Sequence, residues 1–308
     1  MTTILDFFHI QPDVAAALAE GQPVVALEST VITHGLPFPD NLETAVAMES
    51  AVRQGGAVPA TIAIIQGHIY IGLRPDQLDY LARRAGHNVR KCSRRDIPLA
   101  LALGEDGATT VAGTMILAQR AGIEVFATGG IGGVHRGHPF DVSADLTELG
   151  RTPVTVVCSG AKSILDLAAT REVLETNGVA VVGYGTAELP AFYSRQSGLP
   201  VDVRLDEPAA VARLIQARRA LALSSGTLVT VPVPAAAELP RSEAEAAIAQ
   251  ATAEADTLGI QGADATPWLL ARLVTLTNGR SLLANQALLG HNSFVAAQIA
   301  TALTGRKS

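Results

Sequence analysis

Short runs of β-branched and aliphatic residues alternate with amphipathic patterns along almost the whole chain. Each apolar run has the length of a buried strand, and glycine, proline or polar residues separate it from the pattern that follows. This alternation is typical of an α/β domain, in which helices pack on a sheet. The runs predict strands at 24–27, 61–66, 68–72, 124–128, 154–158, 179–184 and 226–231, and the amphipathic patterns predict helices at 42–54, 110–121, 165–177, 209–222, 241–258 and 281–303.

Nothing in the sequence divides the chain into separate units. It shows no repeat with a period of roughly 20–50 residues and no linker long enough to separate two domains. The chain has 308 residues, of which 48% are hydrophobic and 17% charged, so it can fill one large core. We therefore predict a single domain, residues 1–308, with three α/β/α layers around a mixed central sheet.

Composition and charge exclude several classes of partner. The formal net charge of −6 argues against broad binding to nucleic acid or to a membrane surface, although a local basic pocket can still hold one phosphate. No stretch approaches the roughly 18 apolar residues that span a bilayer, and residues 1–21 contain no basic signal-like segment. Cys92 and Cys158 are the only cysteines and lack Cys-x-x-Cys spacing. We expect a cytoplasmic protein with no nucleic-acid or membrane partner.

A single lysine, Lys162, follows the strand predicted at 154–158 in the segment CSGAKSILD. This position predicts a lysine in the first turn of the next helix, near the positive end of the helix dipole. Desolvation there would favour the neutral amine, which is the form that attacks a carbonyl carbon. Most lysines are solvated surface charges, so this residue alone does not establish catalysis.

Two glycine-rich turns, residues 128–138 and 277–281, interrupt the α/β pattern. The first follows a strand, as a dinucleotide-binding turn does, but Pro139 and Phe140 come next instead of a helix. No acidic residue ends a second strand at the expected distance either, so a Rossmann site is disfavoured. Glycines allow close approach of the backbone, and the N–H groups of either turn can therefore face an anion.

Glu28 and Lys91 are candidates for chemistry at the ends of apolar segments. Glu28 ends the strand predicted at 24–27, where a carboxyl group suits general acid–base catalysis. It can equally cap a helix or neutralise an arginine. Lys91 lies in the most basic segment of the chain, residues 90–96, which can bind a phosphate or form a solvated face.

Asp141 and Asp145 are oxygen donors close in sequence to His135 and His138. Such a set can hold a hard divalent cation such as Mg²⁺ or Mn²⁺, or it can simply cap a helix, since Ser143 and Asp145 both suit a helix start. The chain has no His-Glu-x-x-His or Ser-His-Asp signature, which disfavours a zinc hydrolase.

Five separated segments together resemble the pseudouridine-5′-phosphate glycosidase family, also called the indigoidine synthase A-like family. They occur in order and cover nearly the whole chain, so together they are far more specific than any one motif. The segments are ALESTVITHGLPFP at 26–39, VRKCSRRD at 89–96, the loop at 128–145, CSGAKSILD at 158–166 and PAFYSR at 190–195.

The resemblance implies reversible cleavage of the C–C glycosidic bond of pseudouridine 5′-phosphate to uracil and ribose 5-phosphate, by an enzyme classed with the hydro-lyases. It also implies a homotrimer with one divalent ion per subunit, typically Mn²⁺, although other divalent ions are possible. Motif by motif, Lys162 matches the nucleophile, Glu28 the proton donor and Asp141 the metal ligand. The matched substrate-binding positions are Lys91, the backbone at Val111, Thr128, His135, Ser143, Ala144, Asp145 and Asn285.

This set is chemically consistent, because a C–C glycosidic bond has no leaving oxygen for a pair of carboxylates to protonate. A lysine amine can instead open the ribose ring and form an iminium, while an acid protonates the base carbon. Two alternatives remain: another lysine Schiff-base lyase or aldolase acting on a sugar phosphate, and a non-catalytic sugar-phosphate-binding protein. Asn278, Gln286 and a shortened 128–145 loop depart from the family pattern and bear on substrate preference.

Overall fold

The computed structural model describes residues 7–260 and 265–305. The predicted single domain also includes residues 1–6, 261–264 and 306–308, which lie outside the described residues. The helices are α1 (Pro12–Ala19), α2 (Asp40–Gln54), α3 (Pro75–Ala82), α4 (Ile97–Leu103), α5 (Val111–Ala121), α6 (Ala144–Leu149), α7 (Leu167–Thr176), α8 (Pro208–Ala220), α9 (Arg241–Leu258), α10 (Ala265–Leu276) and α11 (Arg280–Leu303).

The strands are short, and most of them end in polar or glycine-containing turns. They are β1 (Phe8–Ile10), β2 (Val24–Leu27), β3 (Val58–Ile65), β4 (His68–Ile71), β5 (Val89–Cys92), β6 (Asp106–Thr109), β7 (Val125–Ala127), β8 (Val134–His135), β9 (His138–Val142), β10 (Thr155–Cys158), β11 (Leu165–Asp166), β12 (Ala180–Tyr184), β13 (Val203–Leu205) and β14 (Thr227–Thr230).

Eleven strands form one mixed sheet in the order β1-β4-β3-β2-β7-β10-β14-β12-β13, and β5 and β6 join it through β3. The pairs from β3 through β2, β7, β10, β14 and β12 to β13 are all parallel. β3 pairs antiparallel with β4 and β6. A second, small sheet has the order β11-β8-β9.

Helices flank the large sheet and bury its apolar strands. α11 packs with α2 and α8 and contacts β2, β7 and β10, whereas α5 packs with α6 and contacts β2, β3 and β7. β2, β7, β10 and β14 are buried along their whole length, as parallel strands covered by helices usually are. The predicted α/β class with a mixed central sheet is confirmed.

The predicted elements agree with the structure except near their ends. β2 and α9 have the predicted bounds, and α5 begins one residue later than expected because Thr110 is its N-cap and accepts a hydrogen bond from Gly113 N–H. Several short elements were not anticipated, among them β5, β6 and the hairpin of β8 and β9. Their strands of two to five residues carry little periodicity.

Lys162 does not lie in the first turn of a helix, so that prediction was wrong. It lies in a turn after β10, and β11 pairs with β8 before α7 begins at Leu167. The side chain of Asp166 accepts the N–H of Ala169 and caps α7 at this point. The dipole of α7 therefore does not act on Lys162 from the first turn.

Among the described residues, no helix combines the length and the apolar character needed to cross a membrane.

Candidate functional site

Three neighbouring strands of the large sheet end at the same edge, and a polar residue follows each of them. Glu28 follows β2, Thr128 follows β7, and Lys162 lies in the turn after β10. Because β2, β7 and β10 are parallel neighbours, their carboxyl ends meet at that edge. Lys91 from β5 and Asn285 from α11 reach the same place, and all five side chains line one cavity of about 40 Å³.

Glu28 is almost completely buried, and Thr128 holds its carboxyl group. The Thr128 hydroxyl donates a hydrogen bond to Glu28 Oε1. Burial raises the pKa of Glu28 above its usual 4.5, while Lys162 and the Thr128 hydrogen bond oppose that rise. A buried carboxyl with a raised pKa is suited to deliver a proton near neutral pH. Glu28 does not cap a helix, so the acid–base interpretation is favoured by its surroundings.

The turn that carries Lys162 is fixed through its backbone to the glycine-rich turn after β7. Lys162 N–H donates to the carbonyl of Ile131 at 3.1 Å, and Ile131 N–H donates to the carbonyl of Gly160 at 3.0 Å. Ser159 N–H donates to the carbonyl of Gly129 at 2.8 Å. These bonds continue the pairing of β7 and β10 beyond the strand ends and hold Lys162 at the cavity.

Lys91 lines the cavity, whereas the neighbouring arginines pair with carboxylates elsewhere. Arg90 forms an ion pair with Glu105, and Arg94 forms one with Glu148. Arg90 and Arg94 are therefore engaged in salt bridges and do not line the cavity. Lys91 differs because its charge acts on Glu28 in the cavity, where it lowers the carboxyl pKa.

Asp145 connects the glycine-rich turn to the start of α5. Its Oδ1 accepts the N–H of Ala112 at 2.9 Å, and its Oδ2 accepts the N–H of Gly132 at 2.8 Å. Its negative charge also raises the pKa of Glu28. Asp145 therefore lies beside the cavity, although its own carboxyl oxygens are engaged with the backbone.

Val111, Ser143 and Ala144 lie at two helix starts next to Asp145. Ser143 is the N-cap of α6, which begins at Ala144, and its hydroxyl accepts the N–H of Asp145. Val111 is the first residue of α5, so its N–H has no acceptor within that helix. These three residues do not line the cavity of Glu28 and Lys162.

His135 and Asp141 face a second cavity, which has a volume of about 250 Å³ and is also lined by His138 and Asp256. Within residues 7–260 and 265–305, no three His, Cys, Asp or Glu side chains are grouped closely enough to hold a metal ion. Asp141 is exposed on β9 and has open access to water. A single accessible carboxylate suits Mg²⁺ or Mn²⁺, because such ions keep most of their water ligands. The residues therefore fit a largely hydrated ion, not one enclosed by protein ligands.

A larger groove of about 1040 Å³ adjoins the small cavity and shares part of its wall. A cavity of 40 Å³ has room for only a few water molecules, whereas small-molecule sites usually occupy about 300–1,000 Å³. The groove therefore offers room for a small molecule next to the cavity that Lys162 lines. The residues shared by both cavities are His34, Gly35, Pro267, Leu270 and Asn285.

The two substitutions that depart from the family pattern have structural explanations. Asn278 has a φ of 51°, a left-handed conformation that asparagine tolerates better than most residues do. The Nε2 of Gln286 lies 3.4 Å from the hydroxyl of Thr44 on α2, so this side chain joins two helices. Neither residue lines the cavity of Glu28 and Lys162.

Three residues at the site were not selected from the sequence. His34 lines the cavity, and its Nδ1 lies 2.6 Å from the Oγ1 of Thr33. Burial and the charge of Lys91 both lower the pKa of His34. Phe192 lines the cavity with a φ of 62°. Asn292 lies beneath it on α11. A buried asparagine seven residues after Asn285 on an apolar helix is a signal that could have identified Asn292, whereas nothing local predicts the φ of Phe192.

Similarity to known proteins covers almost the entire chain. Residues 13–302 match the family model described as indigoidine synthase A like protein. A pseudouridine-5′-phosphate glycosidase of Hahella chejuensis is 55% identical over 296 residues, which are 96% of this chain and 97% of the relative. A protein of the same name from Escherichia coli strain K12 is 52% identical, over 96% of this chain and 95% of the relative.

Two solved structures share the fold at high sequence identity. The prealnumycin C-glycosynthase in complex with ribulose 5-phosphate has a TM-score of 0.89 and 42% identity, over 97% of both chains. An indigoidine synthase A-like protein of Thermotoga maritima has a TM-score of 0.88 and 38% identity, also over 97% of both chains. Because sequence, fold and full-length coverage agree, the chain belongs to the indigoidine synthase A-like family.

Proposed function

We propose that the protein is a pseudouridine-5′-phosphate glycosidase, which reversibly cleaves the C–C bond between uracil and ribose 5-phosphate. One observation carries the proposal: a single cavity holds the amine of Lys162 and the buried carboxyl of Glu28. The chain is also 52–55% identical, over 96% of its length, to relatives that bear this name. The relative bound to ribulose 5-phosphate supports a pentose phosphate as the ligand class.

In the proposed reaction, the nitrogen of Lys162 bonds to the anomeric carbon C1′ and the C1′–O4′ bond breaks. The proton that the amine sheds ends on O4′, which opens the ribose ring. The nitrogen lone pair then forms a C1′=N iminium while the C1′–C5 bond breaks. The departing electron pair takes the proton of Glu28 at C5 and gives uracil. One water molecule hydrolyses the iminium, releases ribose 5-phosphate and restores the lysine, which returns a proton to Glu28.

The surrounding groups supply alignment and charge. We assign Lys91, the N–H of Val111 and the helix start at Ser143, Ala144 and Asp145 to the phosphate end of the substrate. The cation of Lys91 and the N–H of Val111, which has no acceptor within α5, suit a phosphate, and binding energy there can align the reacting carbon. Thr128 and Asn285 lie at the reacting end of the cavity. His135, which lines the second cavity, is also assigned to substrate binding.

We also propose that Asp141 holds one divalent ion, with Mn²⁺ as the first candidate. Its exposure and the absence of two further ligands nearby in the described part of the chain favour an ion bound largely through water. When bound, such an ion supplies positive charge that helps to position the substrate.

The decisive experiment incubates the purified protein with pseudouridine 5′-phosphate and Mn²⁺, follows uracil release, and traps the reaction with borohydride. We expect release of uracil and a reduced adduct that mass spectrometry locates on Lys162. Lys162→Met is the matched control, since it keeps the length of the side chain and removes the amine. Turnover of deoxyribose or ketose phosphates without uracil release would favour an aldolase, and binding without any turnover would favour a sugar-phosphate-binding protein.

The metal proposal has a separate test. Chelation followed by titration with Mn²⁺ or Mg²⁺ should remove and restore activity, and Asp141→Asn should raise the ion concentration needed for half-maximal activity. His138→Ala, in the same cavity, is the control. An unchanged requirement in Asp141→Asn would reject this residue as the ligand.

For the whole protein, we propose a homotrimer in the cytoplasm. Two observations support these assignments. The strand β9 is exposed along its whole length and presents Phe140, which is 99% exposed and therefore available to pack on another copy of the chain. Both cysteines are buried free thiols, as is usual in a reducing compartment.

A further inference from the structure

A buried amide on α11 lies between two turns: the turn after β7, whose Thr128 holds Glu28, and the turn after β10, which carries Lys162. This amide belongs to Asn292, whose side chain is completely buried. We propose that Asn292 is a positioning residue, which fixes the separation between the turn of Thr128 and the turn of Lys162. Its kinetic consequences rest on the function proposed above.

The contacts of Asn292 reach both turns at once. Its Nδ2 donates to the carbonyl of Thr128 at 2.9 Å, and the carbonyl of Gly129 lies 3.5 Å from the same nitrogen. The hydroxyl of Ser159, in the other turn, lies 3.1 Å from Nδ2 and 3.3 Å from Oδ1. Because two carbonyl oxygens face Nδ2, only the amide nitrogen suits that position.

A short path of contacts links Asn292 to each member of the proposed catalytic pair. Thr128 accepts the amide with its carbonyl and donates its own hydroxyl to Glu28, so this residue links the amide directly to the proton donor. Ser159 bonds through its backbone N–H to Gly129 and precedes Lys162 by three residues. A displacement of either turn would therefore change the distance between the carboxyl and the amine.

The packing of α11 explains why the amide can reach so deep. Asn285, Leu289 and Asn292 lie on one face of the helix, at spacings of four and seven residues. Gly129 lies against this face, and a Cβ at that position would come 3.1 Å from Leu289 and 3.4 Å from the Asn285 side chain. Because of this close approach, Asn285 reaches the cavity and Asn292 lies beneath the turn of Thr128 and Gly129.

The Asn292 amide can act in two ways that experiments distinguish: it can stabilise the fold only, or it can also position the catalytic pair. If Asn292 only satisfied two carbonyls, its loss would lower stability and leave the active fraction with normal kinetics. If it positions the pair, its loss changes the chemical step, because an error of about 1 Å in alignment can cost about 100-fold in rate. Substrate affinity should change little, since Asn292 does not line the cavity.

The kinetic test compares Asn292→Leu, Asn292→Asp and, as the control, Ser293→Ala. Leucine has the same number and branching of side-chain heavy atoms without hydrogen bonds, and we expect it to lower kcat about 30- to 100-fold with KM within about threefold. A buried aspartic acid can remain protonated and donate one bond to Thr128, so it should recover part of that loss. Ser293 is equally buried, but its hydroxyl bonds only to Leu289 of its own helix, and its loss should leave kcat unchanged.

Hydrogen exchange followed by mass spectrometry tests the same inference without turnover. Asn292→Leu should accelerate exchange in the turns at 128–131 and 158–162, and Ser293→Ala should not. A kcat within about twofold of the original chain, equal activity of the Leu and Asp variants, or unchanged exchange in both turns would overturn the inference. If Asn292→Leu does not fold, Asn292→Asp and Ser159→Ala give the same two readouts. If the original chain releases no uracil, the proposed function fails, and the exchange data still decide whether Asn292 holds the turns.

Discussion

Glu28 is a carboxyl group that the fold removes from water, and its ionisation is therefore coupled to the stability of the protein. Burial is the largest influence and raises its pKa above 4.5, although Lys162, Thr128 and Lys91 act in the opposite direction. The folded protein thus binds this proton more tightly than the unfolded chain does. Stability that depends on Glu28 is present below pH 4.5 and is lost as the pH rises through the raised pKa.

Glu28→Gln should consequently lose activity and gain stability at neutral pH. We expect kcat to fall by about 10²- to 10⁴-fold, because the change removes the proposed proton donor. The free energy of unfolding should rise at pH 8 by about 1.4 kcal/mol for each unit of raised pKa, and change little near pH 4. Urea titration at the two pH values measures this difference. An equal gain at both would show that ionisation of Glu28 is not the cause.

Phe192 is a bulky residue held in a backbone conformation that favours glycine. Its φ of 62° is a left-handed conformation that costs a bulky residue about 1–2 kcal/mol, and its ring is buried at the cavity. Such strain often occurs at functional sites, where the surrounding structure enforces it.

Replacement of Phe192 by Gly or Ala should separate the backbone from the ring. Both changes remove the ring and should cost about 3–5 kcal/mol, but the Gly variant should be about 1 kcal/mol more stable than the Ala variant. At Phe126, a buried ring in β7 without a positive φ, the order should reverse, because glycine weakens a strand. Urea unfolding of the four variants gives both differences. The same order at both positions would contradict the argument.

At the scale of elements, the glycine-rich turn after β7 works because other elements approach its backbone closely. A Cβ at Gly132 would lie 2.2 Å from the Ser143 hydroxyl and 2.9 Å from Asp145 Oδ2. Asp145 also accepts the N–H of Gly132, so the turn, α6 and the start of α5 form one connected unit.

Gly132→Ala should therefore destabilise the protein by about 1–3 kcal/mol through overpacking. It should also lower activity, because it displaces Asp145 beside Glu28. Gly290→Ala is the matched control: this glycine lies within α11 with nothing within 4 Å of an added Cβ, and alanine should stabilise the helix by about 0.5–1 kcal/mol. Thermal unfolding and uracil release test both variants. A neutral Gly132→Ala would show that the turn can move away without loss.

At the scale of the whole molecule, the exposed β9 hairpin is the strongest indication of self-association. Phe140 should pack against another copy, and light scattering should then give about three times the 31.9 kDa of one chain. Phe140→Ser should lower the mass at low concentration, whereas Leu258→Ser, which removes another exposed apolar side chain, should not. A single-chain mass for the original protein would reject the proposal.

The sequence alone determined the fold class and most long elements of this protein. Apolar runs and amphipathic patterns are local signals, and β2, α9 and α11 lie within one residue of their predicted bounds. The ordered motifs were equally local, and they identified Glu28, Lys91, Thr128 and Lys162, which line one cavity. The family assignment rests on the same motifs and is confirmed.

The way in which the residues of the site meet depends on tertiary contacts. Lys162 lies in a turn held by Ile131 and not at a helix start, because pairing between β11 and β8 intervenes before α7. Asn292 gains its position from the close contact of α11 with Gly129, which no local pattern specifies. The contact between Asn292 and Thr128 joins residues 164 positions apart, and packing alone sets such distances. The sequence thus specified which groups are present, and the fold determined their separation and their burial.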